Sequence, residues 1–279
     1  MRFSKLHGLG NDFVVVDCLT QSLPEESLPD LARAMCDRHF GVGADGVLLA
    51  LPSDRADFRM RLINGDGSEA EHCGNGIRCV AKLIYDHGHT TATRITIETI
   101  GRVNVLELET EAGAVSQVRV DMAQPVFRRA DVPIVGDPDG EAIEEPLSLA
   151  DGTTMAFTAV SMGNPHAVAF VPSVDAIDLH RLGPLFESHP AFPRRANVEF
   201  VQVHGPNELT MRVWERGAGP TLACGTGACA TLVAAVRTGR SARSAVVHLP
   251  GGDLQIEWAD NNHVFMTGPA VEVFRGEWL

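Results

Sequence analysis

One internal repeat constrains this chain of 279 residues more than any other feature. The stretch "CGNGIRC" at residues 73–79 returns as "CGTGACA" at residues 224–230, a shift of 151 positions. The same shift aligns three further features, which are Met60-Arg61-Leu62 with Met211-Arg212-Val213, Gly88 with Gly239, and Gly101 with Gly252. Gly10-Asn11 also resembles Gly163-Asn164 at a shift of 153. A repeat of this length predicts two copies of one domain.

Each copy has the same local pattern of strand, glycine-rich loop and helix. The alternating stretches "FRMRLI" (residues 58–63) and "LTMRVW" (residues 209–214) predict strands. Each Cys-Gly-x-Gly then opens a run that is apolar on most of its surface, which predicts a buried helix. Gly88 and Gly239 follow where a left-handed residue ends a helix. Two strands around a glycine turn come next in both copies, at residues 94–109 and 244–258.

These patterns predict an α/β (α+β) fold made of two pseudo-symmetric duplicated domains. In each domain, strands wrap around one central apolar helix, and the two cysteine motifs could face each other across a cleft. The Pro-, Gly- and acid-rich segment 123–151 predicts the crossover, and the last strand, at residues 271–278, predicts a return to the first domain. We expect an N-terminal domain of residues 1–122 plus 268–279 carrying Cys73, and a C-terminal domain of residues 123–267 carrying Cys224.

Charge and hydropathy narrow the classes of partner. The formal net charge of −13 argues against nucleic acid and anionic membranes. No apolar run approaches the roughly 18 residues of a membrane span, and the N-terminal "MRFSKLHGLGNDF" lacks the apolar segment of a secretory signal. We therefore expect a soluble, cytoplasmic protein with a small-molecule substrate, no nucleic-acid partner and no membrane partner.

A cysteine at a helix start predicts particular chemistry. The first N–H groups of a helix have no internal partner and carry the positive end of its dipole. A thiol there is expected to have a pKa below its ordinary value of about 8.5. The neighbouring glycines let a ligand approach the unpaired N–H groups, which form an anion site. Each motif would thus place a reactive sulfur beside a carboxylate cradle.

Two such thiols, one from each domain, would form a symmetric acid–base pair around one carbon. One thiol would remove a proton and the other would return a proton to the opposite face, which is racemisation or epimerisation without a cofactor. The other four cysteines, Cys18, Cys36, Cys79 and Cys229, are expected to be inert core residues. "GVGADG" at residues 41–46 lacks the strand and helix of a dinucleotide loop. We expect neither a cofactor nor a metal.

Five stretches closely resemble the diaminopimelate epimerase family, and the resemblance covers nearly the whole chain. They are "KLHGLGNDFVVVD" (residues 5–17), "CGNGIRC" (73–79), "MGNPH" (162–166), "ANVEF" (196–200) and "ERGAGPTLACGTGACA" (215–230). The resemblance implies an epimerase independent of pyridoxal phosphate that interconverts LL- and meso-2,6-diaminopimelate on the route to lysine and peptidoglycan. It also implies two strand barrels, each around a central helix, and a homodimer.

The resemblance also assigns residues. Cys73 and Cys224 match the family's catalytic cysteines, and the backbone of Gly74-Asn75 and of Gly225-Thr226 matches its carboxylate cradle. The matching substrate-binding positions are Asn11, Asn64, Asn164, Asn197, Glu215 and Arg216. His166 and Glu215 match the pair that modulates the cysteines' pKa values. The chain departs from many members at Gly46, where they have Gln, and at Pro220, where they have Glu.

The chemistry of the substrate gives the polar residues a physical reason. Only one of its two amino-acid ends changes configuration, so the other end must be held. Neutral amides beside one cation suit that task, and Arg216 offers a two-pronged donor for a carboxylate. Glu215 can accept hydrogen bonds from an ammonium group.

Three other functions stay open at the level of sequence. A proline-racemase-like enzyme also uses paired cysteines, but its substrate has no second amino-acid end for Arg216 and the asparagines to hold. A dithiol redox or thiol-sensing protein would use Cys73 and Cys224, although no Cys-x-x-Cys is present. A binding module without catalysis explains neither cysteine.

Overall fold

A computed structural model describes residues 1–70 and 73–279 of the chain. The chain divides into two units. Unit 1 comprises Met1–Asp121 and Thr267–Leu279, and unit 2 comprises Met122–Met266. Glu71 and His72, the last residues of the first glycine-rich loop, lie outside the described residues. In the described part of the chain, no helix has the length and apolar character needed to cross a membrane.

Unit 1 alternates strands with two helices. Its elements in chain order are β1 (Arg2–Gly8), β2 (Asn11–Asp17), a 3-10 helix (Glu25–Ser27), α1 (Leu28–Cys36), β3 (Gly46–Leu51), β4 (Phe58–Asn64), β5 (Glu69–Ala70), α2 (Gly74–Asp86), β6 (Arg94–Thr99), β7 (Arg102–Glu111) and β8 (Ala114–Asp121).

Unit 2 repeats this succession. Its elements are β9 (Glu145–Ser148), β10 (Thr154–Ser161), β11 (Pro165–Phe170), α3 (Leu179–Glu187), β12 (Asn197–Gly205), β13 (Glu208–Glu215), β14 (Gly219–Pro220), α4 (Gly225–Arg237), β15 (Ser244–Leu249) and β16 (Gly252–Trp258). The strand β17 (Val264–Gly268) follows at the boundary, and β18 (Val271–Glu277) lies in unit 1, where it pairs with β1.

The strand pairings confirm the predicted duplication. In unit 1, β1 is antiparallel to β2, β2 parallel to β3, β3 antiparallel to β4, β4 parallel to β6, and β6 antiparallel to β7. In unit 2 the strands β10, β11, β12, β13, β15 and β16 follow the same series of directions. The same chain order with the same pairing pattern identifies two copies of one supersecondary unit.

The predicted central helices, α2 and α4, are both confirmed. Helix α2 packs against β1 to β4, β8 and β18, and α4 packs against β10 to β13, β15 and β16. Ten of the thirteen residues of each helix are buried, because strands surround it on several sides. Gly88 and Gly239 follow the two helices with φ of +79° and +73°, the left-handed conformation expected at a helix end. Each central helix therefore runs through its unit and presents its N-terminus at one end of the strands.

Candidate active site

Cys73 caps the N-terminus of α2. Its backbone is extended (φ −147°, ψ 108°), and its Sγ accepts a hydrogen bond from the N–H of Gly76 at 3.3 Å. The Sγ lies 3.8 Å from Oδ1 of Asn11, and Nδ2 of Asn75 donates to the same oxygen at 3.1 Å. Three residues that the sequence predicts for the site, Asn11, Cys73 and Asn75, thus meet at one helix start.

Cys224 caps α4 in the same manner. Its backbone is extended (φ −115°, ψ 106°), and its Sγ accepts from the N–H of Gly227 at 3.3 Å. The hydroxyl of Thr226 lies 3.6 Å from the Sγ, and Nδ2 of Asn164 donates to that hydroxyl at 3.3 Å. The second motif therefore gathers Asn164, Cys224 and Thr226 as the first gathers Asn11, Cys73 and Asn75.

The backbone after each cysteine has the character of an anion site. Gly74-Asn75 and Gly225-Thr226 are the first two residues of α2 and α4. N–H groups at these positions have no acceptor within the helix and lie at the positive end of its dipole. A carboxylate placed there would accept hydrogen bonds from both, which is the chemistry that the sequence predicts for these residues.

The predicted lowering of the thiol pKa is wrong for Cys224. Burial raises the pKa of this thiol well above its usual range, and the carboxylates of Glu215 and Glu199 raise it further. Hydrogen bonds from Thr226 and Gly227 act in the opposite direction but are outweighed. The residue is only 5% exposed, so its surroundings disfavour the thiolate more than a helix N-terminus favours it. The surroundings of Cys224 therefore favour the neutral thiol at neutral pH.

Glu215 is the second titratable group beside this thiol. Burial raises the pKa of its carboxyl, while a hydrogen bond from the Thr221 hydroxyl and an interaction with Cys224 lower it. A carboxyl held against a thiol can take up a proton from it or return one. The assignment of Glu215 as a modulator of the cysteine remains a prediction, for which this proximity is the physical basis.

Three of the other cysteines, Cys36, Cys79 and Cys229, are buried, and Cys18 is partly buried against the core. Burial raises the pKa of Cys18 and Cys36 to about 11 and that of Cys79 to about 12. Cys229 is fully buried in the second turn of α4. At neutral pH the thiolate fraction of Cys18, Cys36 and Cys79 is negligible, because the pKa lies several units higher.

His166 lies behind Asn164 and is completely buried. Its Nε2 is 2.9 Å from Oδ1 of Asn164, and its Nδ1 is 2.6 Å from Oε1 of Glu199. The imidazole is therefore connected to the second cysteine motif through Asn164, because the amide of Asn164 contacts Thr226. The role predicted for His166, modulation of a thiol pKa, would act through this chain.

The remaining predicted polar residues lie at strand ends. Asn64 ends β4, and its Nδ2 donates to the Ser68 hydroxyl at 3.0 Å. Asn197 begins β12, and its Oδ1 accepts from the backbone N–H of Arg216 at 2.9 Å. The guanidinium of Arg216 donates to the backbone oxygen of Arg194 at 3.2 Å. Asn197 and Arg216 are thus brought together within unit 2.

The two departures from the family pattern have different structural settings. Gly46 pairs with Asn64 across β3 and β4, and a Cβ added to it would lie 2.7 Å from a side-chain carbon of Leu62. A larger residue at position 46 therefore requires Leu62 to move. Pro220 is exposed and pairs with Trp214 in a two-residue strand.

Two residues of the site were missed by sequence reasoning. Asp45 accepts a hydrogen bond from Nδ2 of Asn11 at 2.7 Å, and Glu199 contacts His166 as described above. Glu199 did carry a signal, because a carboxylate within the buried run "NVEFV" of β12 needs a partner. In the described part of the chain, no group of three or more His, Cys, Asp and Glu side chains is placed to hold a metal ion.

Comparisons with known proteins agree on one family. The family model for diaminopimelate epimerase matches residues 3–128 and 158–273. A diaminopimelate epimerase of Pelotomaculum thermopropionicum is 56% identical over 278 residues, covering 100% of this chain and 99% of that protein. One from Methanococcus maripaludis (strain S2 / LL) is 51% identical over 278 residues, covering 99% of each.

Solved structures share the fold at low sequence identity. A hydroxyproline epimerase from Agrobacterium vitis superposes with a TM-score of 0.71 at 15% identity, over 99% of this chain and 91% of that one. A PhzF-family phenazine biosynthesis protein from Bacillus anthracis gives 0.73 at 16% identity, over 100% and 99%. At these identities the likeness shows the two-domain fold alone.

The charge of Glu215 is predicted to suppress the reactivity of Cys224. Glu215→Gln removes a negative charge beside the thiol, so the pKa of Cys224 should fall and its thiolate fraction at a given pH should rise several-fold. The rate of Cys224 alkylation by iodoacetamide at pH 8, measured by site-resolved mass spectrometry, should rise accordingly. Glu208→Gln, at the exposed far end of β13, is the matched control. An unchanged or slower rate in Glu215→Gln would contradict this account.

Proposed function

Because the chain belongs to the diaminopimelate epimerase family, we propose that it interconverts LL-2,6-diaminopimelate and meso-2,6-diaminopimelate without a cofactor. It is an isomerase of the amino-acid racemase and epimerase kind, and its place is in lysine and peptidoglycan precursor biosynthesis. The observation that carries the proposal is the pair of cysteines, each of which caps the N-terminus of a buried central helix and accepts a backbone N–H.

The helix starts supply the binding energy for the reacting end. The N–H groups of Gly74-Asn75 and of Gly225-Thr226 would donate to the carboxylate on the carbon that loses its proton. Negative charge spreads onto that carboxylate as the proton leaves, and preorganised donors in a buried site stabilise such charge strongly. This lowers the barrier to removing a weakly acidic α-proton.

Cys73 and Cys224 are proposed to act on opposite faces of that carbon. In one direction the Cys73 thiolate accepts the α-proton, and the neutral Cys224 thiol donates its proton to the other face. The enzyme is left with a Cys73 thiol and a Cys224 thiolate, and the reverse direction uses those forms. The raised pKa of Cys224 supports its assignment as the initial acid.

The second amino-acid end is proposed to be held by amides and one cation. Asn64, Asn164, Asn197 and Arg216 would donate to its carboxylate, and Glu215 would accept from an ammonium group. Asn11 would contribute from the other helix start. The support is chemical, because this set combines a guanidinium fork with neutral donors that can read handedness.

Family membership sets aside a non-catalytic binding module and a thiol sensor as the main function. A proline-racemase-like activity is less well supported, since the likeness to a hydroxyproline epimerase is one of fold. The residues proposed for the second amino-acid end would have no partner on proline.

Three finer assignments complete the proposal. The domains are residues 1–122 plus 268–279 and residues 123–267. The protein works in the cytoplasm, where its substrate is made, which fractionation of cells would test. The enzyme is a homodimer, which a measured mass of one chain in sedimentation would refute.

Isotope exchange tests the reaction directly. In D₂O, LL-diaminopimelate should acquire deuterium at one α-carbon as the meso product forms, because the proton that is returned comes from a thiol that exchanges with solvent. Mass spectrometry of substrate and product measures this. A metal chelator should leave the rate unchanged, and no cofactor absorbance should be present. Product formation without deuterium, or loss of activity to the chelator, would falsify the proposal.

Substitution of each cysteine tests the two-face assignment. Cys73→Ser and Cys224→Ser should each lower kcat for epimerisation at least about a thousandfold, since a serine hydroxyl is a far weaker acid and base at neutral pH. Each variant should still eliminate halide from a β-halogenated analogue whose proton faces the thiol that remains. The two variants should therefore prefer opposite diastereomers. A shared preference, with Cys79→Ser as the control for cysteine loss, would refute the assignment.

A further inference from the structure

The two asparagines at the helix starts present opposite ends of their amides. Asn11 and Asn164 are repeat equivalents, and each contacts the side chain of the second residue of a central helix, Asn75 or Thr226. Asn11 directs its carbonyl Oδ1 towards the helix start, whereas Asn164 directs its Nδ2 there. Only the amide of Asn164 therefore presents a donor on this side.

A carboxylate sets the orientation in unit 1. Oδ2 of Asp45 lies 2.7 Å from Nδ2 of Asn11. An ionised carboxylate can only accept, so the NH₂ group of Asn11 faces Asp45, and its Oδ1 is left to face Asn75.

An imidazole occupies the corresponding place in unit 2. Nε2 of His166 is 2.9 Å from Oδ1 of Asn164. The observed orientation requires Nε2 to carry a proton, because two acceptors cannot form a hydrogen bond. If Nε2 were unprotonated, Asn164 would have to turn its NH₂ group inward and its carbonyl towards the helix start.

Glu199 decides which nitrogen carries the proton. Its Oε1 is 2.6 Å from Nδ1 of His166, and both side chains are completely buried. A neutral ring beside an ionised Glu199 would carry its proton on Nδ1, would leave Nε2 bare, and would bury a net negative charge. One more proton makes the pair neutral overall, whether it lies on the ring or on the carboxyl. Both neutral forms keep Nε2 protonated.

The setting of Glu199 favours the neutral pair. Its Oε2 is buried and has no hydrogen-bond partner among the described residues, and burial raises the pKa of the carboxyl. An ionised oxygen in that position would be costly, because nothing replaces its hydration. Arg212, also on β13, donates to the backbone oxygens of Val174 and Ile177, so the titratable groups beside the pair are Glu215 on β13 and Cys224 at the start of α4. Neither supplies a positive charge that would stabilise an ionised Glu199.

The repeat shows that Glu199 is an addition to the shared scaffold. At the shift of 151, Leu48 is its equivalent in unit 1. A Cβ added to Gly76 would lie 3.1 Å from Leu48, and one added to Gly227 would lie 2.9 Å from Oε1 of Glu199. The two side chains therefore lie against the same turn of the two central helices, and only unit 2 has a carboxyl there.

We propose that Glu199 is a positioning residue that shares one proton with His166 and thereby fixes the amide of Asn164 with its NH₂ group towards a carboxylate of the substrate. The ligand part of this statement rests on the proposed function. The proton on Nε2 is a property of the protein alone.

Nitrogen NMR of the full-length protein tests the proton directly. The protein is labelled with ¹⁵N-histidine, and the His166 signals are assigned by their loss in His166→Gln. At neutral pH, Nε2 should have the shift and one-bond coupling of a protonated nitrogen. A bare Nε2 with a proton only on Nδ1 would overturn the proposal. This result does not depend on activity, so it stays separate from any failure of the proposed reaction.

Two variants then test the consequence for binding. Glu199→Leu copies unit 1 and removes the group that holds the His166 ring at Nδ1. The ring can then turn, the amide of Asn164 loses its fixed partner, and KM for LL-diaminopimelate should rise at least about tenfold through a weakened hydrogen bond to a charged group. The value of kcat should change much less. In Glu199→Gln the amide can still donate to Nδ1, which keeps the proton on Nε2. If the reversed amide, which accepts from Nδ1, is equally populated, half of the molecules remain competent and KM should rise by about twofold at most.

The control is another histidine–carboxylate pair in unit 2. Asp253→Asn alters the partner of Nδ1 in His248, which is distant in sequence from Asn164 and partly exposed, and KM should not change. If Glu199→Leu instead lowers kcat and speeds alkylation of Cys224 with KM unchanged, Glu199 acts on the thiol and the proposal is wrong. A KM in Glu199→Gln as high as in Glu199→Leu would also contradict it.

Discussion

The N–H groups in the first turn of each central helix, which have no acceptor within the helix itself, are the constraint on which the rest of the site depends. Strands surround α2 and α4, so water cannot satisfy these groups freely, and buried donors without partners are costly. In each helix the sulfur of the capping cysteine accepts one of them, from Gly76 or Gly227. The others form a cradle suited to a carboxylate. A single physical requirement thus places a thiol and an anion site side by side in both units.

Duplication preserved this backbone arrangement while the electrostatics of the two copies diverged. Where unit 1 has Leu48 and Asn64, unit 2 has the carboxylates Glu199 and Glu215 at the same shift. Burial raises the pKa of Cys224 and the carboxylate of Glu215 raises it further, so both favour its protonated form. At the start of each turnover, one of the two thiols must be protonated and the other ionised. A symmetric backbone with different charges in its two halves therefore suits an epimerase better than two identical halves.

Much of the fold could be predicted from the sequence, because the signals for its helices and turns are local. The repeated Cys-Gly-x-Gly marks where each central helix starts, and the apolar run that follows it predicts that the helix is buried. The glycines at positions 88 and 239 mark where the helices end. The contacts of Cys73 with Asn11 and of Asn164 with Thr226 each join residues about 62 positions apart. The hydrophobic pattern of a sequence does not predict contacts between residues so far apart. Here they were expected only from the resemblance to a known family.

The sequence by itself determined the duplicated architecture, the two helix-start cysteines and the family, since these follow from spacing and residue type. Only the tertiary structure decided the protonation of Cys224 and the partners of His166. The helix-dipole argument gave the wrong sign for Cys224, because it counts the local N–H groups and omits burial and the carboxylate of Glu215 that β13 brings in. A pKa depends on everything within a few ångströms, and folding brings residues from distant parts of the chain into that volume.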